Sequence, residues 1–234
     1  KGFPGILVET IAIFINNLAA PANTKVFSLT HRLHLTQPQA YIFDPELPYW
    51  IIYRNQLFDS VCRKLDFDVF EVFRDRQLTN KLLSSSGELR VLKSRNLSDD
   101  GKAILDIPGY DSYISYAAAK PLSVFQYLDA PNVYLTPNMT YKPRMMKKPP
   151  HCVVNGSLAI LIPKGGIVPT EKQLAYFSSE EYRTFYQIAR NFQTRSLNVD
   201  SCSVFFYGLL RDEPKSSRSD STEPIQLSFD DCVK

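Results

Sequence analysis

Residues 133 to 150, VYLTPNMTYKPRMMKKPP, form the only segment where cations, an aromatic ring and short polar side chains crowd together with no Asp or Glu. The cations are Lys142, Arg144, Lys147 and Lys148; Tyr141, Asn138 and Thr140 lie among them. Lys and Arg neutralise phosphates, while amides, hydroxyls and a ring can read or stack on bases, so the mixture suits nucleic acid better than lipid. A solvated hairpin whose charges only maintain solubility is the alternative. Other groups capable of chemistry are poorly placed. His31 and His34 are three apart, but no acid or cysteine is near them in sequence, so packing is expected of them rather than metal binding. Cys62, Cys152, Cys202 and Cys232 form no CxxC pair, which excludes a zinc module and a disulfide scaffold and predicts free thiols in a reducing cytosol. Glu213, Pro214 and Lys215 have the spacing of a metal-nuclease acid and lysine but lie in a polar tail, and three histidines assemble no nucleophilic constellation.

Several elements must position the basic stretch. Prolines 137, 143, 149 and 150 deny it a helix, and the apolar run Val133–Leu135 enters it, so a strand, a turn and an exposed basic strand or loop are expected. Upstream, Ile6–Ile15 and Lys25–Leu29 read as strands, and a helix is expected after a start signal at Asp44–Pro48, with Trp50, Tyr53, Arg54, Leu57, Phe58, Val61 and Leu65 at helical spacing. Past FRDRQLT and the SSSG at 84–87, Arg90–Leu97 reads as a strand carrying Lys93, Arg95 and Asn96, with a return strand Ala103–Ile107. Val153–Val154 and Leu158–Ile162 are core strands around an Asn155–Gly156 turn. A helix is expected over 179–192, delivering Arg190, Gln193 and Arg195, and Val204–Leu209 follows as a strand.

With 234 residues, 44% of them hydrophobic, the chain can bury a sizeable core. Its net charge of +3 argues for no partner by itself, but residues 133–169 carry five cations and no anion, so the positive field is local. The opening KGFPGILVETIAIFINNLAAPA has the look of a signal peptide, yet Glu9 interrupts it and no stretch approaches the roughly 20 apolar residues of a membrane helix. It is read as core, with no membrane partner. A start at Lys1 suggests a piece of something longer.

The ordered series FDVFEVFRDRQLT, RVLKSRNLSDDG, GYDSYI, VYLTPNMTYKPR, VVNGSLAILIPK and YFSSEEYRTFYQIARNFQTRSLNVDSCSVFFYGLL resembles the C-terminal part of adenine-specific DNA methyltransferases of bacterial type II restriction-modification systems, above all those partnered with enzymes that cut outside their site. The likeness covers nearly the whole chain. It implies an α+β fold of mixed short strands with a few helices. Residues 1–72 would close the catalytic domain, 73–211 would be the target recognition domain, and 212–234 a polar, loosely held tail. Double-stranded DNA and an upstream catalytic domain are the implied partners, and the cytoplasm the implied location. The DNA-binding set would be Arg74, Arg76, Lys93, Arg95, Asn96, Asn138, Thr140, Tyr141, Lys142, Arg144, Lys147, Lys148, Arg190, Gln193 and Arg195. Lys142, Arg144, Lys147 and Lys148 would grip phosphates; Arg95, Asn96, Asn138, Gln193 and Arg195 are candidates for base edges.

The chain departs from the whole enzyme in two places. It has no Gly-rich turn for S-adenosylmethionine, and its one Pro-Pro pair, Lys148-Pro149-Pro150-His151, lacks the Asn or Asp and the aromatic that hold a flipped adenine. The fragment is therefore expected to hold no cofactor, carry no catalytic residue and transfer no methyl group by itself. A protein-interaction or specificity-subunit module is the rival reading, and an RNA-binding module a third.

Overall fold

In the computed structural model, residues 14, 23–28, 31–193, 197–212 and 225–228 are described, the last four by backbone alone. Sixteen prolines keep the elements short. In chain order they are β1 (Asn23–Ser28), β2 (Leu33–Pro38), the single turn α1 (Gln39–Ile42), α2 (Gln56–Lys64), β3 (Leu65–Asp66), β4 (Phe70–Phe73), β5 (Leu89–Leu92), β6 (Ser112–Ile114), the single turn α3 (Tyr116–Ala119), β7 (Tyr134–Pro137), β8 (Met146–Lys147), β9 (Cys152–Val154), β10 (Leu158–Pro163), α4 (Glu171–Tyr176), α5 (Glu180–Ala189), β11 (Leu209–Leu210) and β12 (Ile225–Ser228). The fold is α+β.

An antiparallel sheet of order β4-β10-β7-β8 lies between two hydrophobic cores. Side chains alternate across a strand. Ala159 and Leu161 of β10 and Tyr134 of β7 therefore enter one core, while Leu158, Ile160 and Leu135 enter the other. Both faces being covered, these strands read as unbroken apolar runs rather than alternating ones. The first core is filled by α2 and α5, with Phe58 stacked on Phe185 at 5.0 Å and Phe206 packed edge-on against both. Each such ring contributes about 1.5–3 kcal/mol through burial. The second core is closed by a mixed sheet, β6-β5-β9, in which β5 runs parallel to β9 and antiparallel to β6.

The α5 helix starts as its sequence dictates: Ser179 accepts a hydrogen bond from the Tyr182 amide, Glu180 and Glu181 occupy the first turn, and Tyr182, Phe185, Tyr186, Ile188 and Ala189 are buried. It ends before 192 because Asn191 and Phe192 take positive φ, +47° and +61°. The first long helix begins later than the spacing suggests. Asp44 is engaged by Arg54 at 2.7 Å, and Asn55 is the cap that starts α2, accepting from the Phe58 amide at 3.0 Å.

Three expected strands differ. Of Arg90–Leu97 only Arg90–Leu92 lies in β5, and Ser94–Asn96 winds into a 3-10 turn, with Asn96 Oδ1 accepting from the Lys93 amide. Asp200 Oδ1 accepts from the Cys202 and Ser203 amides, which winds Ser203–Phe206 into a 3-10 turn, so of the expected 204–209 strand only Leu209 pairs, as the first residue of β11. The expected return strand at 103–107 shrinks to one bridge, Leu97 with Ile104. Lys25–Leu29 corresponds to β1, whereas Ile6–Ile13 and Ile15 of the first expected strand lie outside the described residues. The division anticipated between 72 and 73 falls inside β4, and Ile225–Ser228, within the stretch read as a tail, pairs with β2 as β12; residues 213–224 and 229–234 lie outside the described residues. Among the described residues no helix is long and apolar enough to cross a membrane.

Candidate nucleic-acid interface

Strands β4, β5 and β7 all run toward the end of the molecule where β9 turns into β10. Phe73 pairs with Ile160, Pro137 with Leu158, and Leu92 lies beside Val154. Three segments leave from that end: 74–77, 93–111 and 138–145. The Asn155–Ser157 turn joins them. The Asn155 amide donates to the Leu92 carbonyl at 3.1 Å, the Ser94 amide to Ser157 Oγ at 2.9 Å, and the Asn138 amide to the Ser157 carbonyl at 3.0 Å. Gly156 meets the third segment so closely that a Cβ there would lie 2.7 Å from the Asp75 carbonyl oxygen. Arg74, Arg76, Lys93, Arg95, Thr140, Tyr141 and Lys142, up to 68 positions apart in sequence, are thereby gathered at one end.

Five of the residues expected to face DNA are buried instead, and their polar groups are committed to the protein. Arg144, 7% exposed, donates to the carbonyls of Lys142, Ser94 and Leu97 at 2.9, 3.1 and 3.2 Å. It ties the 138–145 segment to the 93–97 turn. Asn138, 4% exposed, donates to the Gly156 carbonyl and to Asn198 Oδ1 and accepts from the Val199 amide. Asn96 is fully buried, accepting from the Lys93 amide and donating to the Leu105 carbonyl and Asp111. Arg190 holds the Asn198 carbonyl at 2.8 Å. Lys148 donates to the Leu128 and Pro149 carbonyls at 2.7 and 3.0 Å. A cation or amide buried and engaged this way shapes loops and does not present its charge or its donors at the surface, even though Nε of Arg144 and of Arg190 has no partner among the described residues. The expectation that the basic stretch is exposed throughout is corrected accordingly. It is also split. Lys147 is exposed, but it pairs with Tyr134 at the start of β7, about three residues or 10 Å of strand away from Lys142's end.

What remains exposed at the gathered end carries a mixed field. Lys142 is ion-paired with Asp99 at 2.5 Å, and this bond holds the Asp99 carboxyl below its usual range. Lys93 donates to the Tyr110 carbonyl and to Ser112 and lies 3.9 Å from the Tyr110 ring, with the Arg95 guanidinium 5.3 Å from the same ring. Burial lowers the Lys93 pKa, with Asp111 pulling the other way. Arg74 and Arg76 form no ion pair among the described residues. Tyr141 is 50% exposed, and the Thr140 hydroxyl closes the turn beneath it by accepting from the Lys142 amide. Gln193, half-buried, sits in the turn after α5, and Arg195 lies outside the described residues, as do Glu213, Pro214 and Lys215.

The 93–111 segment is fastened by Asp111. Partial burial opposes its ionisation, but the Ile107 amide at 3.0 Å, Asn96 at 2.6 Å and Arg90 at 3.0 Å outweigh that and keep its pKa below the ordinary 3.8. As pH falls, the unfolded chain takes up the proton first, so the stabilisation is present above 3.8 and is lost as pH drops through the folded value. Asp111→Asn is expected to cost about 1–3 kcal/mol at neutral pH and to flatten the acid limb of the stability curve. Denaturant unfolding from neutral pH to about pH 2 checks this; an acid limb as steep as wild type's overturns it.

Elsewhere the titratable groups are structural. His31 packs against Tyr53 and Phe192, and His34 stacks on Phe27 at 4.1 Å. Cys62, Cys152 and Cys202 are free, and burial pushes the Cys62 thiol up to about 12, away from a reactive thiolate. No cluster of three His, Cys, Asp or Glu that could hold a metal occurs among the described residues. The sequence shows an Asn155–Gly156 turn but not its role as a junction, since an Asn-Gly-Ser between apolar runs signals a turn but not what the turn touches. Neither the protein-family models nor the curated proteins give a match to this chain.

Proposed function

We propose that the gathered end is a duplex-DNA recognition surface and that the chain is the target recognition part of an adenine-N6 DNA methyltransferase of a restriction-modification system. In this reading the upstream domain holds S-adenosylmethionine and performs the transfer, and the whole works in the cytoplasm. The observation that carries the reading is the convergence of Arg74, Arg76, Arg95, Tyr141 and Lys142 from three separate segments onto one end, two of the segments tied together by hydrogen bonds and the third held in close contact with Gly156. Preformed loops bearing cations and a half-exposed ring lose little entropy on binding a backbone. The resemblance to methyltransferase recognition domains supports the same conclusion.

A protein-docking surface is the competing reading. Asp99, Asp100 and Asp106 interleave with the cations, and Met139 and Tyr141 are each about half exposed, 51% and 50%. Salt separates the two. Duplex binding through phosphates should weaken steeply as salt rises, and replacing Arg95 and Lys142 by Gln should flatten the log K against log salt slope by up to about 0.9 per lost contact. Lys147→Gln, at the other end of β7, should leave the slope unchanged. Duplex binding that is absent, or indifferent to salt and to the first pair of substitutions, rejects the DNA reading. Competition with RNA of the same sequence disposes of the third alternative.

A further inference from the structure

The segment after β4 forms one wall of a cleft of about 250 Å³ lined by Phe73, Arg74, Asp75, Arg76, Gln77 and Ser123. Its polar groups are divided unevenly. The acceptors are already used: the Asp75 carboxylate, in a residue 7% exposed, takes the Gln77 amide at 3.3 Å and the Leu78 amide at 2.8 Å, and Gln77 Oε1 takes the Ser123 amide at 2.6 Å. The donors are left over. Neither guanidinium has an ion-pair partner among the described residues, and the Gln77 amide nitrogen and the Ser123 hydroxyl belong to residues of the same lining. Two arginines without an ion-pair partner, set against one carboxylate that two backbone amides already hold, leave a net positive lining that suits an oxyanion. The volume is below that of a site enclosing a whole small molecule, about 300–1,000 Å³. Arginine forks fit the paired oxygens of phosphate better than a point cation does.

We propose that this cleft is a phosphate-binding site in which Arg74 and Arg76 close on one phosphate, with Gln77 and Ser123 donating to its remaining oxygens. As a backbone contact it rests on the DNA reading above; as a site for free phosphate it does not. Gly156 against the Asp75 carbonyl fixes the height of this wall relative to the other two segments, so a phosphate held here would set the register of a duplex across the gathered end.

The test follows the side-chain Nε–H signals of Arg74, Arg76 and Arg95 by NMR while the whole chain is titrated with inorganic phosphate and, separately, with a random-sequence duplex. Phosphate should shift the Arg74 and Arg76 signals saturably and leave Arg95 in place; the duplex should shift all three. The Arg74→Gln, Arg76→Gln double variant should lose about 0.9 of the salt slope, and each single variant much less, because the remaining guanidinium still neutralises the shared phosphate. A shift with duplex alone identifies the source as a phosphodiester. A shift with phosphate but no duplex binding leaves the cleft standing as a free-phosphate site and removes the DNA reading. Steep, salt-dependent duplex binding with Arg74 and Arg76 unmoved by either titrant overturns the cleft and leaves the DNA reading intact.

Discussion

Arg144→Met should lower stability by about 3 kcal/mol, the largest loss expected from any single change among the cations of the basic stretch. Burial already lowers the Arg144 pKa, and its charge is retained because three carbonyls, on Lys142, Ser94 and Leu97, surround it. Met fills much of the volume but donates nothing, so these carbonyls lose their partner, the Leu97 contact being fully buried. An unsatisfied buried acceptor costs about 1–3 kcal/mol, which exceeds any gain from removing the charge. For a chain of this size the melting temperature should fall by roughly 6–12 °C. Arg144→Lys restores one charge but not the three-way fork, and should recover only part of the loss. Scanning calorimetry decides: a Met variant melting with wild type means the guanidinium is not the strut described.

Gly156→Ala should come next, costing about 1–3 kcal/mol. The new methyl would stand 2.7 Å from the carbonyl oxygen of Asp75, and because that atom is backbone it cannot swing aside. Either the 155–157 turn retreats, stretching its bonds to Leu92, Ser94 and Asn138, or the 74–77 segment is pushed out. Both outcomes separate the loops from one another. The variant should therefore show altered amide signals in all three segments although it lies in only one turn, together with weakened duplex binding. Wild-type melting with shifts confined to 155–157 would show that the turn is a bystander.

The apolar skeleton was readable because burial on both faces leaves its mark on every residue: LAILIP is strand β10, and the Tyr182, Phe185, Tyr186 spacing is α5. The capping at Ser179 was readable for the same reason, since a local hydrogen bond leaves a local pattern. The site was less legible. Lys142 and Arg144 differ by two positions and have the same charge, yet one is exposed and the other is buried beneath a loop 50 residues upstream. Nothing local distinguishes a cation that binds solvent or ligand from one that binds distant carbonyls. Asn96 and Asn138 were misread likewise: an amide suits an adenine edge and a backbone corner equally well. The 3-10 turn at 203–206 was missed because Val, Phe and Phe read as a strand unless Asp200 is recognised as capping it.

The place of β4 has a practical consequence. Among the described residues it is an edge strand, paired on one side, to β10. A recognition domain cut at residue 73 would shed it, baring a row of β10 amides and carbonyls beside the vacated seat of Phe70. A long apolar strand with a newly open edge invites pairing with its counterpart in another molecule. Such a fragment would report self-association where DNA binding was sought, whereas a cut made before α2 would keep the edge capped.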